Sequence, residues 1–109
     1  MKIAITAQGD HFDAQMDARF SRCDYFVIFD SETRGVEFLP NLLRDQESEV
    51  GKSVVDFMCE RKVSKIISGD FGIKVKPMLD SQKIQMIVYK DETITIRSLI
   101  SLLQQRYTN

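Results

Sequence analysis

The sequence predicts an α/β domain in which a five-stranded mixed sheet is covered by helices on both faces. Three observations predict it. Apolar segments of strand length alternate with segments of helical periodicity in the second half of the chain. Two further strand-like segments follow each other closely in the first half. A chain of 109 residues can bury one core but has little room for a second, so we expect residues 1–109 to form a single domain of three layers.

Three strands are expected in the first forty residues. Residues 2–7 (KIAITA) carry isoleucine at alternate positions, which is typical of a strand. The continuous apolar run 25–29 (YFVIF) predicts a strand that is buried on both faces. The turn DSETRG then leads to residues 36–39 (VEFL), so these two segments are expected to form a β-hairpin, which Pro40 ends.

Two helices are expected in the middle of the chain. Apolar side chains recur at helical spacing over residues 50–61, and Ser48 is the expected N-cap of this first helix. Met78 and Leu79 indicate a second helix. It is expected to begin irregularly or late because Pro77 has no backbone N–H to donate.

The remaining elements are two short strands and a last helix. The strands are expected at residues 65–67 (KII) and 84–89 (IQMIVY), on either side of the second helix. Thr95 is the expected cap of the last helix. The apolar side chains of this helix share one face at i, i+3, i+4 and i+7 spacing: Ile96, Leu99, Ile100, Leu103 and Tyr107.

The element order β-β-β-α-β-α-β-α restricts the topology of the sheet. Right-handed crossovers place strands one, four and five parallel, with the hairpin on the other side of strand one. The predicted order is therefore 3-2-1-4-5, with strand two antiparallel. A crevice opens beyond the carboxyl ends of strands one and four, where open α/β sheets bind ligands. Residues 7–13 (AQGDHFD) and 68–72 (SGDFG) are expected to meet there.

The residues near this crevice are suited to an anionic ligand. Glycines in the second loop allow close backbone approach, and the amides at the start of the following helix favour negative charge. Arg19 and Arg22 supply planar donors suited to anions or sulfide-rich clusters. The simpler interpretation is that these arginines pair with Asp17 and Asp24 at the surface, where ion pairs contribute little energy.

The only histidine, His11, and one of the two cysteines, Cys23, lie in the same polar segment as these arginines. Both are residue types that ligate iron. One ligand of each kind is fewer than the four of a buried structural metal site, so any bound metal is expected to be partly exposed and releasable. The alternatives are a surface histidine and a small packing group. Cys59 is expected to lie in the core.

Composition excludes several classes of function. With 15 basic and 16 acidic residues, no overall field favours nucleic acid or a membrane surface, so we expect neither as a partner. Two separate cysteines fit a reducing compartment, and a cytoplasmic location is expected. No apolar run approaches the roughly 20 residues of a membrane helix, and the chain start leads directly into a strand rather than a signal peptide.

Several motifs in combination resemble one known family. They are MKIAIT at the start, DARFSRCDYFVIFD at residues 17–30, with its Arg19-Phe20 pair, and ISGDFG at residues 67–72. Leu79 and Ile84 follow the last motif at similar spacing to the helix and final strand of that family. The sequence resembles the dinitrogenase iron-molybdenum cofactor biosynthesis family, which includes the NifX-like proteins and the carboxyl-terminal domain of NifB.

The resemblance implies a ribonuclease-H-like fold and a non-catalytic role. This role is to bind or carry the iron-molybdenum cofactor or an iron-sulfur cluster, with none held tightly on isolation. Cluster donor or acceptor proteins are the implied partners, and the chain is expected to be a monomer or a weak homodimer. Taken with the crevice, the resemblance implies metal ligation by His11 and Cys23. It implies cofactor binding by Arg19, Arg22, Gly69, Asp70, Phe71 and Gly72.

Two other functions stay open. A metal-dependent nuclease or phosphotransferase would need several carboxylates around two divalent ions, and Asp10 with Asp70 is the only obvious convergent pair. A protein-interaction or regulatory module without metal would use an edge strand, at residues 36–39 or 84–89, to pair with a partner.

Overall fold

The computed structural model describes residues 1–91 and 93–108, in which five strands and three helices follow one another in the expected order. No helix within these residues is long and apolar enough to cross a membrane. The elements are β1 (Lys2–Ala7), β2 (Tyr25–Asp30), β3 (Val36–Pro40), α1 (Val50–Glu60), β4 (Val63–Ser68), α2 (Val75–Ser81), β5 (Gln85–Val88) and α3 (Ile96–Arg106).

The sheet has the order β3-β2-β1-β4-β5. β1 pairs in parallel with β4, and β4 with β5, whereas β2 is antiparallel to both of its neighbours. The predicted strand order and directions are therefore confirmed, and the topology fits the ribonuclease-H-like arrangement. β3 and β5 are the edges of the sheet, as expected.

The core consists of one apolar cluster on each face of the sheet. β1 and β2 are buried on both faces, so alternate side chains of each strand enter different clusters. One cluster joins Ala4, Phe26 and Ile28 to the buried sides of α1 and α2. The other joins Ile5 and Phe29, with their neighbours, to α3. Full burial of each large apolar side chain stabilises the fold by about 1.5–3 kcal/mol.

The helix termini agree with the sequence except at the start of α1. Thr95 caps α3, where its side chain accepts from Ser98 N–H at 3.2 Å. α2 begins late, at Val75, with Pro77 in its first turn. The prediction that Ser48 caps α1 was wrong because Glu49, in a left-handed conformation (φ 55°), is the residue that precedes the helix. No side chain caps this terminus.

Strand β4 is longer than predicted and contains an irregularity. It begins at Val63, and the register with β1 shifts so that Lys2 pairs with Val63 while Ile3 pairs with Lys65. The shift places Lys65 on the same face as Ile67, the face that α3 covers. β5 (Gln85–Val88) is shorter than the strand predicted at residues 84–89.

Candidate functional site

The carboxyl ends of the three parallel strands form one rim of the sheet. The turn after β4 meets the segment after β1 at this rim, as the topology predicted. Thr6 donates through its hydroxyl to Ser68 Oγ at 3.0 Å. A Cβ added to Gly69 would lie 2.7 Å from Ala18 Cα. The contact therefore involves Thr6 and Ala18 rather than residues 8–13, and it requires glycine at position 69.

Two adjoining cavities open at this rim and together form what we call the rim groove. Their volumes are about 540 and 260 Å³, and Met16 and Ala18 line both. The remaining lining residues are Gln8, Gln15, Asp17, Arg19 and Asp24 in the larger cavity, and Gly69, Asp70, Tyr89 and Lys90 in the smaller one.

Arg19 is fixed in the larger cavity by a buried carboxylate. Its Nε and Nη2 donate to the two oxygens of Asp17 at 3.0 and 2.9 Å, and its backbone N–H donates to the same carboxylate at 3.0 Å. The Asp17 side chain is 3% exposed, whereas that of Arg19 is 59% exposed. The hydrogen bond to Asp17 raises the pKa of Arg19 above its usual value. The guanidinium is thus held in one orientation while one edge still faces the cavity.

Asp17 is in turn held by the first strand. Thr6 Oγ1 donates to the Asp17 carbonyl at 2.6 Å, and the Asp17 N–H donates to the Thr6 carbonyl at 2.9 Å. The pairing with Asp17 that the sequence suggested therefore exists. Because Asp17 is buried, however, this pair is not an ordinary surface ion pair.

Arg22 is not engaged in the way that its position in the sequence suggested. Its Nη1 donates to the Arg44 carbonyl oxygen at 2.6 Å, and it is Arg44 that forms the hydrogen-bonded ion pair with Asp24. Arg19 Nη2 also lies 3.9 Å from Asp24. The expected Arg22–Asp24 pair was wrong because Arg44 reaches that carboxylate from the connection before α1. Arg22 lines neither cavity of the rim groove.

The turn after β4 combines one buried and two exposed residues. Phe71 is buried and packs on Phe20, with the ring centroids 5.4 Å apart. Gly72 has a φ of +78°, which favours glycine. Hydrogen bonds from the amides of Gly72 and Phe71 lower the pKa of the Asp70 carboxyl, and Lys90 nearby lowers it further. Asp70 therefore closes the turn, and Phe71 anchors it in the core.

The structure places the two predicted metal ligands on different sides of the sheet. Cys23 is fully buried in the α1–α2 cluster, with its Sγ 3.9 Å from Asn41 Nδ2. Burial is the main cause that raises the pKa of its thiol to about 12. His11 is exposed over Gly9, and the next residues, Phe12 to Ala14, pack on the α3 side. Ligation by Cys23 would require the segment around it to open. Metal ligation by His11 and by Cys23 stays a prediction.

The described part of the chain contains no group of three or more His, Cys, Asp or Glu side chains that could hold a metal ion. A structural metal site coordinated fully by protein normally uses four such ligands. A cluster with its own bridging sulfides has different needs, because hydrogen bonds to its sulfurs and nearby charges can hold it.

Tyr89 and Lys90 line the smaller cavity, but the sequence did not identify them as site residues. They follow β5, which is parallel to β1 and β4 and therefore ends at the same rim. The predicted parallel direction of this strand was the signal that could have identified them. Cys59, which was expected in the core, is half-buried and packs against the α1–α2 cluster.

Residues 1–106 match the sequence profile described as "Dinitrogenase iron-molybdenum cofactor". The chain belongs to this family. The resemblance seen in the sequence motifs is thereby confirmed, and the match covers all the strands and helices described above.

Solved structures of similar fold include two that cover almost the whole chain. The apo form of the orange protein from Desulfovibrio gigas has a TM-score of 0.84 at 23% identity, over 97% of this chain and 88% of that one. A Thermotoga protein of the DUF35 family, provisionally assigned as NifB, has a TM-score of 0.76 at 26% identity. The match spans 95% of this chain and 87% of the Thermotoga chain. These similarities support the same fold for this family member.

One curated relative is much longer than this chain. DNA ligase 1 of Clostridium acetobutylicum is 31% identical over 72 residues, which are 66% of this chain but 11% of the ligase. The chain therefore spans about a tenth of the length of the curated relative that it matches.

Proposed function

We propose that this chain binds and carries an anionic metal-sulfur cluster at the rim groove without transforming it. The cargo is the iron-molybdenum cofactor or a related iron-sulfur cluster. The family points to a role in the biosynthesis or carriage of the iron-molybdenum cofactor. The single observation that carries the proposal beyond the family is the guanidinium of Arg19, fixed by a buried carboxylate at the wall of an open cavity.

Charge at the rim groove supports an anionic cargo. Arg19 borders one cavity and Lys90 the other. The acidic groups beside them are already engaged: Asp17 with Arg19, Asp24 with Arg44, and Asp70 with two backbone amides. Their negative charge is therefore partly compensated and opposes an anion less than free carboxylates would.

The way in which Arg19 is held also suits carriage. Since its side chain is ordered before any cargo arrives, little rotamer entropy is lost when it donates to a sulfide or carboxylate of the cargo. Contacts through charge and a few hydrogen bonds give binding that a receiving protein can reverse. His11 and Cys23 belong to the proposal as ligands that would add to this hold, the second only after local opening.

The proposal is tested by anaerobic reconstitution with isolated iron-molybdenum cofactor and, separately, with iron and sulfide. After desalting, metal analysis and absorption spectra measure what the protein retains. Arg19→Gln is expected to weaken retention by about tenfold to a hundredfold, since a hydrogen bond to a charged group contributes about 1.5–3 kcal/mol. Arg61→Gln is the matched control, because Arg61 follows α1, packs on Phe57 and lines neither cavity of the rim groove.

The ligand assignments have their own comparison. The Cys23→Ala, His11→Ala double variant is expected to retain less metal than the wild type, and Cys59→Ala is its control because that thiol lies away from the rim groove. If wild type and double variant retain the same negligible metal, the carrier proposal fails. If both retain the cluster equally, the two ligand assignments fail and the charge-based site stands.

The alternative of a metal-free interaction module keeps a specific test. It is favoured if size-exclusion chromatography with light scattering finds a stable dimer that takes up no cluster. The nuclease alternative has less support, because the rim carboxylates Asp17 and Asp24 are bound to arginines. Magnesium-dependent nuclease activity that Asp70→Asn abolishes would reverse that judgement.

A further inference from the structure

A second groove lies on the α3 face of the sheet and shares Tyr89 with the smaller cavity of the rim groove. It runs between α3 and the strands β4 and β5, has a volume of about 410 Å³, and we call it the α3–β5 groove. The strands contribute apolar side chains together with Lys65 and Gln85, and α3 contributes leucines and Arg106. The lining residues are Ile3, Lys65, Ile67, Gln85, Ile87, Tyr89, Leu99, Leu102, Leu103, Arg106 and Tyr107.

The groove exists because the two faces of the sheet are covered unequally. Two helices, α1 and α2, pack on one face, whereas α3 alone packs on the other. On β4, Ile67 is buried in the α3 cluster, whereas Ile87 and Tyr89 on the β5 side are half-buried. The incompletely covered strip of this face therefore runs along the edge strand β5, beside the flank of α3.

Apolar side chains remain accessible in this strip. Leu102 on α3 is 49% exposed, and Ile87 and Tyr89 at β5 are half-buried. Leu102 lies on the flank of the apolar stripe of α3, beside Leu99 and Leu103 in the lining of the groove, and packing of α3 on the sheet leaves it half uncovered. A second apolar surface laid against the groove would remove these side chains from water.

The charge of the groove has one sign. Lys65 and Arg106 line it, and no acidic residue lines it within the part of the chain that the structure describes. Lys65 Nζ donates to the hydroxyl of Tyr107 at 3.0 Å, which holds the ammonium at the wall of the groove. In a chain with a net charge of −1, this local excess of positive charge is complementary to an acidic partner.

We propose that the α3–β5 groove binds an amphipathic, acidic helix of a partner protein. The apolar side of that helix would cover Ile87, Tyr89 and Leu102, and its acidic flank would face Lys65 and Arg106. α3 has 11 residues and is therefore about 16 Å long, so a partner helix of about three turns would fill the groove. The inference does not require that a cluster is bound, because it rests on α3 and on Lys65 and Arg106, which do not line the rim groove; Tyr89 is the residue that lines both grooves.

A helix fits this surface better than an added strand. The accessible part is the face of the sheet, where the main-chain groups of β4 and β5 are already paired with each other. β5 offers only four residues at its free edge. A helix packed beside α3 would complete the layer that the other face already has.

The test uses NMR spectra of the ¹⁵N-labelled full chain and two synthetic peptides of about 14 residues, enough for four helical turns. The acidic peptide has leucine at i, i+3, i+4 and i+7 with glutamate on its flanks, and the basic peptide has lysine in place of glutamate. The acidic peptide is expected to shift the amide signals of residues 85–88 and 99–106. Its affinity is expected to fall as salt is raised.

Variants separate the apolar and electrostatic parts. Leu102→Asp and Lys65→Gln are each expected to weaken binding of the acidic peptide, the first by about tenfold or more. Lys52→Gln is the control, because this exposed lysine is on α1, on the other face of the sheet. The proposal is overturned if the acidic peptide gives no shifts at about millimolar concentration, or shifts residues of the other face, or binds no better than the basic peptide.

Two further measurements exclude other occupants. Sedimentation of the chain alone, with concentration-dependent shifts confined to the groove, would show that a second copy fills it. Co-flotation with anionic lipid vesicles that Leu102→Asp abolishes would assign the groove to a membrane surface. Either result overturns the proposal of a partner helix.

Discussion

Replacing Arg19 with alanine is expected to destabilise the fold, although the Arg19 side chain itself is mostly exposed. The change removes the two side-chain hydrogen bonds to Asp17, at 3.0 and 2.9 Å. It leaves the Asp17 carboxylate, 3% exposed, with the backbone N–H of residue 19 as the remaining hydrogen-bond donor described for it. A buried charge that loses its partner is costly, whereas a surface charge is not.

The expected loss is about 2 kcal/mol of unfolding free energy. Breaking a fully buried ion pair costs about 3–5 kcal/mol, and an exposed pair contributes about 1 kcal/mol or less. Here one partner is buried and the other is 59% exposed, so water can approach the carboxylate once the arginine is truncated. The lower part of the range for hydrogen bonds to charged groups, about 1.5–3 kcal/mol, therefore applies.

Urea unfolding followed by circular dichroism measures this difference. Lys52→Ala is the control, because Lys52 and Asp56 form an exposed pair on α1 and its loss should cost about 0.5 kcal/mol or less. In the Asp17→Asn background the Arg19→Ala change should cost less, since no buried charge is left behind. If Arg19→Ala costs no more than Lys52→Ala, Asp17 is hydrated without difficulty and the argument for a fixed guanidinium is refuted.

Three further predictions concern the rim and the cysteines. Gly69→Ala should cost about 1–3 kcal/mol in urea unfolding, because its Cβ would meet the backbone of Ala18 at 2.7 Å. Cys23 should react with iodoacetamide far more slowly than Cys59 at about pH 8, as followed by mass spectrometry. Its thiol is fully buried, and burial raises its pKa to about 12, so little of the reactive thiolate is present at that pH. Asp70→Asn should remove a contribution to stability that is present above the unfolded pKa of about 3.9 and is lost as the pH falls through the lower folded pKa, as urea unfolding over a pH series measures.

Each of these has an outcome that contradicts it. Unchanged stability in Gly69→Ala would mean that the two loops separate without cost. Equal alkylation rates would show that the segment around Cys23 opens readily, which would favour its role as a ligand. For Asp70→Asn, a difference from wild type that persists below about pH 2 would mean that the carboxylate charge does not cause the effect.

Most of the fold could be predicted because each strand and helix has its own local signal. The alternating isoleucines of β1, the apolar run of β2 and the Thr95 cap of α3 each act within a few residues. The start of α1 could not be predicted in the same way. Glu49 adopts a left-handed conformation that its residue type does not favour, so the chain around it must impose this conformation.

The candidate site was predictable in its position but not in its contacts. Parallel strands brought the Gly69 turn and the segment after β1 to one rim, which topology alone determines. The burial of Asp17 depends on how residues far apart in sequence pack, and no local pattern signals it. The burial of Cys23 also depends on residues distant in sequence, namely Asn41 and the α1–α2 cluster. From the sequence alone, Cys23 could be a ligand or a packing group.

The contact between Gly69 and Ala18 joins the two walls of the rim groove through main chain rather than through flexible side chains. A displacement of either wall must therefore be transmitted to the other, since there is no intervening side chain whose rotation could absorb it. Because Met16 and Ala18 line both cavities, a receiving protein that displaced the segment after β1 would change the shape of both together and loosen whatever they held. Spin labels on the two walls would report this linkage as correlated changes in distance, and independent movement would contradict it.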